Sequence, residues 1–126
     1  MKRAGERDVI RHAFRLSGRE KLMNEVHEGG CVCGAVRYRV RGEPVVGMAC
    51  HCRFCQQRLG TAFALVAYFE VRPGLRSIAA GTFDDADWFR IERHIWARSK
   101  RPWVSVPADV TVFPQGSAGA PAAKAL

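Results

Sequence analysis

The sequence predicts a small, mainly β domain in which antiparallel sheets are joined by cysteine-bearing loops. Three features carry that expectation. Apolar and basic residues alternate with a period of two from Ala35 to Arg41, a β-branched and aromatic run fills Thr61 to Val71, and Gly- or Pro-containing turns cut the rest into short segments. At 126 residues the chain has room for one modest core.

Residues 1–26 read as a short helical arm, with Ile10, Ala13 and Phe14 on one face, a break at Ser17-Gly18, and Leu22, Met23 and Val26 resuming it. The arm need not belong to the domain, and whether translation starts at Met1 or Met23 is open. Val36, Tyr38 and Val40 then face one side of a strand, with Arg37, Arg39 and Arg41 on the other. Gly42-Glu43-Pro44 turns the chain into a second strand, Val45 to Ala49, which delivers it to the cysteines. Gln56 to Gly60 reads as a helical turn, Thr61 to Val71 as a long buried strand, and Arg72-Pro73-Gly74 as its closing turn. Ile91 to Ala97, Trp103 to Val106 and Val110 to Phe113 are further strand candidates. The Gly, Ala, Ser and Pro tail is too poor in large apolar groups to pack and is expected to be disordered. The expected layout is an arm at 1–26, a single domain at 27–114 and a tail at 115–126.

Apolar residues make up 48% of the chain and no apolar run reaches the roughly 20 residues of a membrane span, which argues against membrane residence. Neither a secretory h-region nor an acid-free transit peptide is visible, so a cytoplasmic location is expected, where thiols stay reduced. The net charge of +8 suits nucleic acid, an anionic surface or a small anionic substrate alike. No concentrated basic stripe with interleaved aromatics is present, however, so a nucleic-acid partner is disfavoured.

The five cysteines fall into Gly30-Cys31-Val32-Cys33-Gly34 and Cys50-His51-Cys52-Arg53-Phe54-Cys55, with none after Cys55. C-x-C and C-x-x-C spacings let neighbouring thiols converge on one soft cation, and zinc takes thiolates at about 2.3 Å in a tetrahedron. Two arrangements fit. A closed site would join Cys31 and Cys33 to two of the later three; an open one would use Cys50, Cys52 and Cys55 and leave a position for substrate or water. Spacing alone favours the closed site.

Gly29-Gly30-Cys31-Val32-Cys33-Gly34-Ala35-Val36-Arg37-Tyr38, then Cys50 through Gln56 with Gly60, resembles the glutathione-dependent formaldehyde-activating enzyme family. Gly81-Thr82-Phe83-Asp84-Asp85 and His94 to Lys100 with Trp103 resemble its C-terminal part. The resemblance implies a β-tent fold of small antiparallel sheets, zinc, and a carbon-sulfur lyase reaction combining glutathione with formaldehyde. It implies that Cys50, Cys52 and Cys55 hold a catalytic zinc and that Cys31 and Cys33 are half of a structural zinc site, reversing the preference that spacing gave. Family members supply the other half from a second C-x-x-C after the long strand, where only Arg72 to Ala80 stands here, so the chain resembles a member with an internal deletion and its fold is expected to be incomplete. His27 and His94 are candidates to complete that site. Arg53 and Arg58, beside the thiols in sequence, are candidates to bind substrate carboxylates and His51 to move a proton; Trp88, Trp96 and Trp103, at strand spacing, are expected in the core, with a cleft wall as the alternative. Two other readings stand beside this one: a degenerate, non-catalytic zinc-binding relative, and a basic zinc-stabilised nucleic-acid module. Oligomeric state is open.

Overall fold

The computed structural model of the chain describes residues 7–8, 24–71 and 74–117. The strands are β1 (Arg7–Asp8), β2 (Val26–Gly30), β3 (Arg37–Arg41), β4 (Val46–Cys50), β5 (Ala64–Val71), β6 (Gly74–Ala79), β7 (Arg93–Ile95) and β8 (Thr111–Val112), with one helix, α1 (Arg53–Leu59). They form a three-stranded sheet, β1-β3-β2, and a five-stranded sheet, β6-β5-β4-β7-β8. The fold is mainly β, as expected. The sheets are not purely antiparallel, because β1 runs parallel to β3, β7 to β4 and β8 to β7. No described helix is long and apolar enough to cross a membrane.

Each face of β5 feeds a different core, which follows from its period-two side chains. Ala64, Val66 and Tyr68 join Val46, Met48, Cys50, Ile95 and Phe113 in one cluster. Ala67 and Phe69 turn the other way, toward Val40, Phe83 and Trp88. Phe69 is almost fully buried there, and truncating such a ring to alanine costs about 3–5 kcal/mol. β4, the centre of the larger sheet, is buried along its whole length. At Gly47 the segment before β7 lies directly over it: Glu92 N–H donates to the Gly47 carbonyl at 2.9 Å, and a Cβ on Gly47 would fall on the Arg90 carbonyl oxygen. Only glycine lets the chain cross there.

The smaller sheet shows where much of the positive charge goes. Glu28 and Arg39 are cross-strand partners on β2 and β3, bonded at 2.6 Å, and Arg37 pairs with Asp84 beyond β6. Two of the three alternating arginines are thus matched by carboxylates.

Several expectations need correction. The helix begins at Arg53, three residues earlier than Gln56, because Cys52 caps it. Trp103 to Val106 forms no strand: it has β-forming residues but no neighbouring strand, and Trp103 lies exposed. Gly74–Ala79 is a strand that pairs with β5 along its length. Pro114 and Gln115 are tied down, since their carbonyls accept from Arg98 and Trp96 at 3.3 and 2.8 Å. In the N-terminal arm, Arg7–Asp8 and Val26 are strand rather than helix, Val26 pairing with Arg41; the other residues assigned to helical pieces up to Met23, and the tail beyond residue 117, lie outside the described residues.

Candidate metal centre

The period-two pattern of β4 puts Val46, Met48 and Cys50 on one face, so the strand's last residue turns its sulfur toward the first core cluster. Two residues later the chain enters α1 with Cys52 as N-cap. Its extended backbone leaves the sulfur free to accept the Cys55 N–H at 3.3 Å, while its carbonyl takes the first helical bond from Gln56 N–H at 3.1 Å. One helical turn thus brings Cys55 back over Cys52. The sulfurs of Cys50, Cys52 and Cys55 all lie within 4.8 Å of one another.

Their environments differ. Burial pushes the Cys50 thiol up to about 12, with neighbouring thiols adding to the effect. Burial also raises Cys52, but the Cys55 N–H and the thiols of Cys50 and Cys55 outweigh it and hold Cys52 below its ordinary value. Cys55 is raised, first by burial and then by Cys52. Three thiols this close, with burial opposing the thiolate at each, are a group whose ionised form a divalent cation would favour. Three soft donors fit zinc and leave one position of a tetrahedron open.

Two buried groups fix the loop from behind. Gln56 is nearly inaccessible; its Nε2 donates to the His51 carbonyl at 2.7 Å and to the Ser99 carbonyl at 3.0 Å, and its Oε1 accepts from Arg53 at 2.6 Å. It therefore joins the thiol loop to the 3-10 turn Ala97–Ser99 and aims Arg53. That turn follows Trp96, held at φ 57, a left-handed conformation uncommon for an aromatic residue. His51 is fully buried, and its Nε2 meets His94 Nδ1 at 2.7 Å across the parallel β4–β7 pair. Burial lowers both histidines, His51 to about 4, so both stay neutral near pH 7. His51, expected to move a proton, is thus buried against His94, with its Nδ1 unpartnered among the described residues.

Beside α1 lies a cavity of about 370 Å³ lined by Arg53, Gln56, Gln57, Thr61, Arg101 and Trp103, among others. No cysteine lines it; it adjoins the thiol loop through Arg53 and Gln56. Arg101, one of the basic group Arg98, Lys100 and Arg101 in the sequence, was not expected as a site residue; the fold places it on the cavity that Arg53 lines. Arg58 is not among the lining residues and instead lies over the Phe54 ring at 5.8 Å. Of the tryptophans, Trp103 lines this cavity, whereas Trp88 and Trp96 pack against the two cores.

Cys31 and Cys33 are elsewhere, at the exposed tip between β2 and β3, with sulfurs 3.2 Å apart. Among the described residues neither belongs to any group of three ligand-capable side chains. His27 groups instead with the exposed Glu25 and Glu43, and His94 with His51. The two cysteine groups do not form one closed site.

No curated protein matches the chain. Residues 26–72, which contain all five cysteines and the whole thiol loop, match the family model of the glutathione-dependent formaldehyde-activating enzyme.

Proposed function

We propose that the chain is a zinc-dependent carbon-sulfur lyase resembling S-(hydroxymethyl)glutathione synthase, which combines glutathione, or a related thiol, with formaldehyde. The observation that carries this reading is the convergence of Cys50, Cys52 and Cys55 within 4.8 Å in a segment that matches this family. Cys50, Cys52 and Cys55 would hold the zinc, and a zinc ion there supplies a positive charge that keeps a substrate thiol ionised near neutral pH.

The remaining work falls to the chain. The substrate sulfur adds to the carbonyl carbon of formaldehyde, a carbon–sulfur bond forms, the carbonyl π pair moves to oxygen, and the proton given up by the thiol returns to that oxygen. Arg53, oriented by Gln56, and Arg101 face one cavity and give a peptide thiol two cations for its carboxylates. Trp103 offers an apolar wall on the same cavity. The ion pairs of Arg37 and Arg39 leave less free charge for a nucleic acid, which supports the small-anion reading over that rival.

Zinc content and turnover of S-(hydroxymethyl)glutathione test the proposal. Cys52→Ser is expected to lose both; retention of both would overturn it, and zinc binding without turnover in the wild-type chain would establish the non-catalytic alternative. Arg101→Ala should raise KM for glutathione about tenfold with kcat little changed, the loss of one charge-assisted hydrogen bond, whereas Arg58→Ala should change KM less than about twofold.

A further inference from the structure

The tip between β2 and β3 presents two exposed thiols, and among the described residues no third ligand-capable side chain groups with them. Cys31 N–H donates to the Val36 carbonyl at 2.9 Å and Gly34 N–H to the Cys31 carbonyl at 2.8 Å, a tight loop closed by Gly34 at φ 74. This leaves the Cys31 and Cys33 sulfurs on one side, 3.2 Å apart and open to solvent. A tetrahedron with bonds of about 2.3 Å has an edge of roughly 3.8 Å, so a small opening of the two side chains suits them to one zinc ion. Two thiolates fill only half of its coordination.

We propose that this tip is half of a zinc site completed by the same tip of a second copy, so that Cys31 and Cys33 of two chains bind one bridging zinc. The proposal rests on reading these two residues as metal ligands and is independent of the lyase reaction. Among the described residues the chain gathers no third ligand around them. A second copy supplies two more thiolates of identical geometry, and a two-fold axis through the metal turns two C-x-C loops into a closed four-thiolate site with an isologous interface. The side chains at the tip suit that contact: Val32, between the cysteines, is fully exposed, and Val36 at the base is exposed as well. Both are apolar groups that a second tip would cover. The charge also fits, because four thiolates and one dication make a centre of charge −2 between two basic chains, and the adjacent Arg37 is held by Asp84.

The test is a titration of the purified chain with zinc chloride, read by sedimentation for mass and by elemental analysis for metal. The wild type is expected to form a dimer carrying about 1.5 zinc ions per chain, one in each thiol loop and one shared. Cys33→Ser should stay monomeric with about one zinc per chain and unchanged turnover, since the serine sits on an exposed loop away from the core. A monomer holding two zinc ions per chain would overturn the proposal by showing that the ligands come from within. So would a monomeric wild type with one zinc, a tip found oxidised to a Cys31–Cys33 disulfide and indifferent to metal, or a zinc-dependent dimer that survives Cys33→Ser.

Discussion

The two cysteine loops have similar local chemistry and opposite settings. Both are short, both place sulfurs close together, and both direct a backbone N–H at one of them. Yet Cys50 is part of a core cluster, Cys52 and Cys55 pack against it, and Gln56 and the His51–His94 pair lock the loop from beneath. Cys31 and Cys33 are exposed and belong to neither core cluster of the described residues. Metal bound at the first loop is therefore coupled to folding, whereas metal at the second can act only on what meets the tip from outside.

The largest difference between the loops should appear on removing one sulfur from each. Cys50→Ser is expected to abolish turnover, by more than about 100-fold, and to lower stability by about 1–3 kcal/mol by leaving a buried hydroxyl without a partner; Cys33→Ser should leave both within error in the monomer. Equal effects on unfolding in urea would erase the distinction. Next come the glycines that shape the two regions. Gly47→Ala places a methyl group on the Arg90 carbonyl and should cost about 3 kcal/mol, since neither backbone can yield in a packed sheet. Gly34→Ala meets nothing in space, and its cost of about 1 kcal/mol is that of a left-handed conformation alone.

The two regions also differ in how they respond to pH. His51 and His94 have values lower in the folded chain than in the unfolded one, so the unfolded state binds protons first as pH falls. Their contribution is fully present above the ordinary histidine value of 6.5 and declines below it, for His51 down to about 4; His94 is shifted in the same direction. Unfolding in urea should show a loss on the order of 2 kcal/mol between pH 7 and pH 5, in Cys52→Ser as well as in the wild type. Asp84, held low by Arg37 at the smaller sheet, keeps its contribution across that range and loses it only below the ordinary carboxylate value of 3.8. A flat profile between pH 7 and pH 5 would show that the buried pair does not stabilise the larger sheet.

The thiol loop was legible because its ligands are contiguous: Cys50, Cys52 and Cys55 needed one strand end and one helical turn to meet. β3, β4 and β5 were legible from alternation and β-branched content. β6 was not, because Gly74–Ala79 is an edge strand exposed along most of its length, so burial never imposed an apolar pattern on it. Trp103 to Val106 failed in the opposite sense, with strand-forming residues and no partner to pair with. What lay beyond sequence were contacts made by topology: His51 with His94 through a parallel pairing, Gln56 with Ser99, and Arg53 with Arg101 on one cavity. The family match covers residues 26–72 and ends before Gly81, so the resemblance of residues 81–85 and 94–103 rests on those residues alone.

The parallel pairing of β4 with β7 also sets an order of events during synthesis. The thiol loop emerges from the ribosome with β4, but the His51 N–H finds its partner only when the Ile95 carbonyl arrives. At roughly 5–20 residues per second, several seconds pass in which three reduced thiols stand on an unfinished sheet. Early metal uptake would protect them from oxidation during that interval, and a shortage of metal should harm the nascent chain before it harms the finished one.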